Sequence, residues 1–483
     1  MNSRLDALAA FAALAALAAC GTPPTPASPR PATASAPALS SSPLVTTATS
    51  ANADAGASGD ALLPSTAAGT QLAWVLAPFK SGGRMPSAVD LKSHFAQLFL
   101  DKVPMDQLLT VFKQLAGTAA PLTIVRVEPN ATDAKLSIVV HSDAAGFMRV
   151  GIATDATDAH QILGLAIQAA PDLAPQAASW DEVDKNVQAV APMTNLLAAE
   201  ITGNTCATVH ALDSAKPLAL GSAFKLYVLS AIAHDVATGK RKWTDTLAID
   251  DAKKSLPSGT MQTEAAGKTF TVQQFAEKMI SISDNTAADH LLLAVGRDAV
   301  EAAVVSAGGA NASLDTPFLT TRELFVFKLL LAPAEQQEYV AADVVAKRKL
   351  LAGYDKRDLA PALSAAEAWT APRFIDKVEW FASPDDLCKV ALTLKAYSEK
   401  PQTEAVAGIL AINPGIPDAS DDWKYIGFKG GGEPGVMNLS WILQRARDGK
   451  WFFLTVGFNN TGSPIDDVKG LTAATMALTF LAK

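Results

Sequence analysis

Polar and apolar positions divide the chain into stretches of different character. Residues 21–68 hold few large apolar side chains and are dominated by Pro, Ala, Ser and Thr. Such a stretch cannot bury enough surface to offset its ordering entropy, so a flexible tether is expected there. From about residue 70 apolar positions recur. Ser93–Leu115 (SHFAQLFLDKVPMDQLLTVFKQL) carries them at helical spacing, and Pro104 is expected to separate a pair of short helices. Strand-like runs follow at Leu122–Val127, Ala134–His141 and Phe147–Ile152, the last after a turn-like Asp143–Gly146. With Ile162–Ile167 they make a small α+β unit over 70–172.

A second unit is expected over 178–483. It opens with a helix-like stretch, Asn195–Ile201, and a strand-like one, Cys206–Leu212. Helical patterns then dominate to about residue 413. Three strand-like runs come late: Tyr425–Lys429, Val436–Leu443 and Trp451–Phe458. Gly-Glu-Pro-Gly and Arg-Asp-Gly-Lys punctuate them as hairpin turns would. A last helix is expected over about Val468–Leu481. Early strand, helical middle, late antiparallel strands and final helix predict an α+β fold, an α/β sandwich with helices on both faces of one sheet.

Composition narrows the function. Of 483 residues, 49% are hydrophobic and 18% charged, which allows sizeable cores. The net charge is −8, and no basic run with interleaved aromatics points to nucleic acid. Three cysteines, Cys20, Cys206 and Cys388, lack zinc or redox spacing, and His141 and His160 lack partners at ligand spacing, so no metal or cofactor is expected. Cys206 and Cys388 can pair or remain buried thiols.

Leu8–Ala19 is almost wholly Ala, Leu and Phe. It has the length of a signal-peptide core and is short for a membrane span. It ends Leu17-Ala18-Ala19-Cys20-Gly21, which resembles a bacterial lipobox. That resemblance implies export of the protein, a signal peptide over 1–20, and lipid anchoring through Cys20 in the bacterial envelope.

Three short motifs carry chemistry. Gly221-Ser222-Ala223-Phe224-Lys225 opens an apolar helical run, and residues at i and i+3 share a helical face. Ser222 would thus lie beside the Lys225 amine, which can take its proton if burial or a neighbouring cation depresses the amine's pKa. Ser283-Asp284-Asn285 sits between two amphipathic segments, where a serine can relay a proton and an asparagine can hold an amide. As a plain structural alternative, these residues suit a helix N-cap. Lys429-Gly430-Gly431-Gly432 ends a short strand, and side-chain-free positions on a sheet edge admit a ligand backbone.

In this order the motifs resemble the S-x-x-K, S-D-N and K-T-G elements of serine β-lactamases and penicillin-binding proteins. Residues 178–483 look like a class A β-lactamase domain. The preceding 70–172 unit makes the arrangement similar to the two-domain β-lactamase-like esterase of the clavulanic acid cluster. The resemblance implies roles residue by residue. Ser222 attacks an acyl carbonyl, Lys225 is its base, and Ser283 relays the proton. Asn285 positions a substrate amide. Lys429 supplies positive charge and depresses the pKa of Lys225. The N–H groups of Ser222 and Gly432 form the oxyanion hole. Two departures stand out. Gly430 replaces the family's threonine, and no deacylating glutamate is visible. Glu323 is its nearest candidate, against the reading that Thr320 or Thr321 caps a helix with Glu323 in its first turn.

The expected activity is that of a serine hydrolase acting on a small ester, amide or β-lactam. The alternatives are a penicillin-binding or sensing module without turnover, or a D,D-peptidase of the cell envelope.

Overall fold

The structure is a computed structural model. It describes residues 62–483 apart from 102, 104, 144–145, 156–158, 171–172, 174–175, 308–310 and 417–420. Cys20, the leader, most of the tether and Pro104 lie outside the described residues. The described chain separates into two compact units that meet in sequence at Ala169 and Ala170.

In the first unit, β1 (Thr123–Val127), β2 (Lys135–Ser142), β3 (Gly146–Thr154) and β4 (Ile162–Ala169) pair antiparallel in chain order. Burial alternates along β3, the mark of a sheet with one covered face. Ile138, Val140, Val150 and Ile152 meet Leu72, Phe79, Phe99 and Phe112 from the helices above. These include Ala67–Leu76, Ala88–His94 and Met105–Thr118. The expected tether to residue 68 runs too far. Thr66 caps the first helix by accepting the Gly69 N–H, and Ala68 is fully buried. Ala and Gly carry no outward sign of burial, so the Ala67-Ala-Gly69 turn reads like the low-complexity stretch before it.

In the second unit a five-stranded antiparallel sheet has the order β11-β12-β13-β5-β6. The strands are β5 (Met193–Thr202), β6 (Thr205–Leu212), β11 (Trp423–Glu433), β12 (Val436–Arg445) and β13 (Trp451–Asn459). One face packs through Leu196, Trp441 and Val456 against the helices Trp180–Gln188 and Asp467–Ala482. The other face packs through Leu197, Ile442 and Phe453 into a larger core that holds the helices Lys225–Ala237 and Pro384–Ser398. Both faces are covered, so the α/β sandwich is present.

Two expectations need correction. Asn195–Ile201 is not helical; it belongs to β5. That strand lies between β13 and β6 with both faces buried, so its apolar run shows no alternation, and its Leu and Ala residues favour helix by propensity alone. The strand expected to end at Lys429 continues through the three glycines to Glu433, paired all the way with β12.

The smaller strands are β7 (Leu218–Ala219), β8 (Thr246–Ala248), β9 (Thr269–Thr271) and β10 (Phe381–Ala382). β10 pairs with β7 just ahead of Ser222. Cys206 on β6 and Cys388 in the helix Pro384–Ser398 are joined by a disulfide, with Cα atoms 6.5 Å apart. Of the two readings of these cysteines, pairing is the observed one.

Candidate active site

The helix Lys225–Ala237 is buried along nearly its whole length, because Leu226, Tyr227, Val228, Leu229 and Ile232 all face neighbouring elements. A 3₁₀ turn, Gly221–Phe224, leads into it. Gly221 holds φ +51°, a left-handed conformation that glycine adopts without steric cost. The turn leaves Ser222 half-buried at the helix entrance and sends Lys225 fully inside.

Lys225 Nζ has four oxygen neighbours: Ser222 Oγ at 3.1 Å, Ser283 Oγ at 3.1 Å, the Ser283 carbonyl at 2.5 Å and Asn285 Oδ1 at 2.7 Å. The carbonyl and the amide oxygen can only accept. A neutral amine has two N–H groups and one lone pair. In that neutral form, hydrogens given to those two acceptors would leave the lone pair for the hydroxyls. Burial and the charge of Lys429 push the Lys225 pKa well below the ordinary lysine value.

Ser283 and Asn285 arrive on a sharp link between the helices Val272–Ser281 and Asn285–Val295. Ser283 sits at φ +57°, unusual for a residue with a Cβ. Asp284 holds the link in place. One carboxylate oxygen caps the second helix through the Ala287 N–H, and the other accepts the N–H groups of Thr260 and Met261. Ser258 Oγ donates to the Ser283 carbonyl at 2.7 Å, so the 255–260 loop lies against the site. Asn285 also donates to the Leu256 carbonyl. Beyond these two bonds its amide keeps one N–H and one lone pair.

Lys429 reaches in from β11. Its Nζ donates to Ser283 Oγ at 3.1 Å and to the Gly430 carbonyl at 2.5 Å. Burial lowers its pKa to about 7. The structure therefore gathers Ser222, Lys225, Ser283, Asn285 and Lys429 into one connected cluster.

The glycines have separate reasons. A Cβ on Gly431 would stand 2.6 Å from the Ser222 nitrogen and 2.5 Å from the Ala223 nitrogen, and would collide with the Leu220 carbonyl. A Cβ on Gly221 would stand 2.7 Å from the Gly432 nitrogen. The β11 edge thus lies directly across the Ser222 turn, bringing the backbone nitrogens of Ser222 and Gly432 to one seam. Gly431→Ala should push the strand away and reduce Ser222 acylation ~100-fold, the scale of a 1 Å misplacement. Stopped-flow acylation with an unchanged circular dichroism spectrum checks this, and an unaltered rate refutes it.

Gly430 is explained differently. A Cβ there would lie 2.8 Å from Phe428 Cζ, and its cross-strand partner is Leu439. The Phe428 ring, packed on Trp441, covers the position a threonine side chain would leave from.

Glu323 is not placed to activate water. Its carboxylate forms a two-point ion pair with Arg297 and accepts the Thr320 N–H in a capping box. Among the described residues, no group of three His, Cys, Asp or Glu side chains gathers as a metal would require. Sequence reading also missed a buried cluster of Lys328, Glu379 and Glu433 beside the end of β11. Its members are 51 and 54 residues apart in the chain, so no local signal marks them.

Residues 196–364 match the β-lactamase enzyme family, a span that carries Ser222, Lys225, Ser283 and Asn285 but not Lys429. Residues 63–159 match a family described as the ORF 12 gene product N-terminal. No curated protein matches the chain. Similar solved structures include a β-lactamase from Sphaerobacter thermophilus, at 20% identity, covering 63% of this chain and 97% of its own, with TM-score 0.43. A β-lactamase from Francisella tularensis is similar at 14% identity, covering 62% and 98%, with TM-score 0.42.

Proposed function

Because its second unit belongs to the β-lactamase-like superfamily, we propose that this protein is an exported, lipid-anchored serine hydrolase that acylates Ser222 and turns over small uncharged esters. The observation that carries the reading is the Lys225 amine, 3.1 Å from Ser222 Oγ and surrounded by neutral oxygens. Ser222 Oγ attacks the ester carbon, and its proton passes to Lys225. The N–H groups of Ser222 and Gly432 bind the resulting oxyanion, where each donor contributes on the order of 3 kcal/mol to the transition state. Collapse breaks the bond to the leaving oxygen, which takes the proton from Lys225 through Ser283. Water then hydrolyses the acyl-enzyme and frees Ser222. The export and the anchor rest on the Cys20 motif.

The preference for uncharged esters rests on Gly430, Phe428 and Leu439. They offer no hydroxyl or second cation to a substrate carboxylate. One missing hydrogen bond to a charged group weakens binding by about 1.5–3 kcal/mol, a factor of ~10–100. In matched pairs, the neutral ester should therefore show the higher kcat/KM. A preference for the carboxylate-bearing partner contradicts this.

A second reading has its own support. Glu323 is tied to Arg297 and Thr320, so a stable acyl-enzyme has no carboxylate base from that position. On this reading the protein is a penicillin-binding or sensing module that acylates once. Intact mass followed over time with a penicillin, a cephalosporin and an aryl ester separates the two. A transient ester adduct mapped to Ser222 supports the hydrolase. Persistent adducts with every compound favour the sensor, and no adduct with any of them refutes both.

A further inference from the structure

At the end of β11 the chain buries three ionisable groups that acyl transfer leaves without a task. Lys328 Nζ lies 2.5 Å from Glu379 Oε1 and 2.5 Å from Glu433 Oε1. The Lys328 and Glu379 side chains have no exposed surface, and that of Glu433 keeps 8%. Such a cluster is a poor source of net stability, because desolvation of the charges offsets their attraction. Its connections suggest a different role. Glu433 directly follows Gly432. Glu379 directly precedes Trp380, whose carbonyl accepts the Leu220 N–H at 2.9 Å, two residues before Ser222. Phe381 pairs with Ala219 in the same segment. Lys328 comes from a third element, the helical turn Val326–Leu330, and its own carbonyl is held by Arg373.

We propose that Lys328, Glu379 and Glu433 are positioning residues for the oxyanion hole: the ammonium clamps the strand end carrying the Gly432 N–H to the segment carrying the Ser222 N–H, and so sets the gap between the two donors. The inference rests on Ser222 being the acylated residue. Removing Glu433 frees the strand end while leaving the Lys328–Glu379 pair intact. Removing Lys328 would leave two buried carboxyl groups facing each other without their cation, so Glu433 is the better probe.

The test compares acylation by an aryl ester and by its thiono analogue, using the full chain. The C=S bond is longer and its sulfur accepts hydrogen bonds weakly, so a hole set for oxygen discriminates between the two. The wild type should acylate faster with the oxygen ester by ~100-fold, the scale of losing one donor. Glu433→Ala should slow the oxygen ester ~10-fold or more and the thiono ester less than ~3-fold, collapsing the ratio. Glu433→Gln keeps length and a hydrogen bond to Lys328, and should hold both rates within ~3-fold of wild type. Should Glu433→Ala not fold, Glu433→Asp, one methylene shorter, should lower the ratio at least ~3-fold. The clamp is overturned if the wild type does not discriminate, if the ratio is unchanged in Glu433→Ala or Glu433→Asp, if both rates fall together, or if Glu433→Gln behaves like Glu433→Ala. Absence of any wild-type adduct at Ser222 overturns the hydrolase reading and the clamp with it, an outcome distinct from an unchanged ratio.

Discussion

Ser222→Ala should erase covalent labelling by a β-lactam or fluorophosphonate probe, with acylation lowered at least ~10⁴-fold. The substitution removes one oxygen and little else. The backbone N–H of residue 222 stays in the seam with Gly432, and Lys225 keeps its bonds to the Ser283 carbonyl and Asn285. The rest of the cluster therefore persists, and reversible binding of substrate should survive while chemistry stops. Intact mass of the variant after overnight exposure checks this. An adduct that still forms assigns the nucleophile elsewhere.

Lys225→Met should lower acylation by ~10²–10⁴, the usual contribution of a positioned general base. Methionine preserves the buried stem and removes the proton acceptor. The wild-type pH profile should follow from the same amine. Lys225 works as a base only when neutral, and its pKa lies well below the ordinary lysine value because of burial first and Lys429 second. Acylation should therefore rise with pH through that depressed pKa and fall as acid charges the amine. Lys429→Met removes the neighbouring positive charge, so the acid limb should move to higher pH. Acylation rates from pH 5 to 10 for the two proteins decide it, and coincident limbs would separate the two lysines.

Much of the site was legible because each motif is local. Ser222 and Lys225 are one helical turn apart, and Ser283 and Asn285 share one link, so periodicity alone brings each pair together. Joining the pairs needed the resemblance, because nothing local brings residues 222, 283 and 429 to one place. β5 was misread because alternation is a signal of half-burial, and a strand covered on both faces gives none. β11 was cut short because glycine reads as a turn. Here it is demanded by the Gly221–Phe224 turn passing within contact of Gly431. Glu323 illustrates the opposite case, in which the plain reading as a helix-capping partner describes the observed contacts. The Lys328–Glu379–Glu433 cluster was beyond sequence reading altogether, since its members meet only through tertiary packing.

The bond between Cys206 and Cys388 closes a covalent ring spanning 182 positions of the chain. Ser222, Lys225, Ser283, Asn285, Lys328 and Glu379 lie inside it; Lys429 and Glu433 lie on the tail that follows. A single peptide cut anywhere within the ring, including the 255–260 loop beside Ser283, leaves one molecule whose pieces stay attached. A cut in the tail between Cys388 and Lys429 instead severs the strand carrying Lys429 and Gly432 from the turn carrying Ser222.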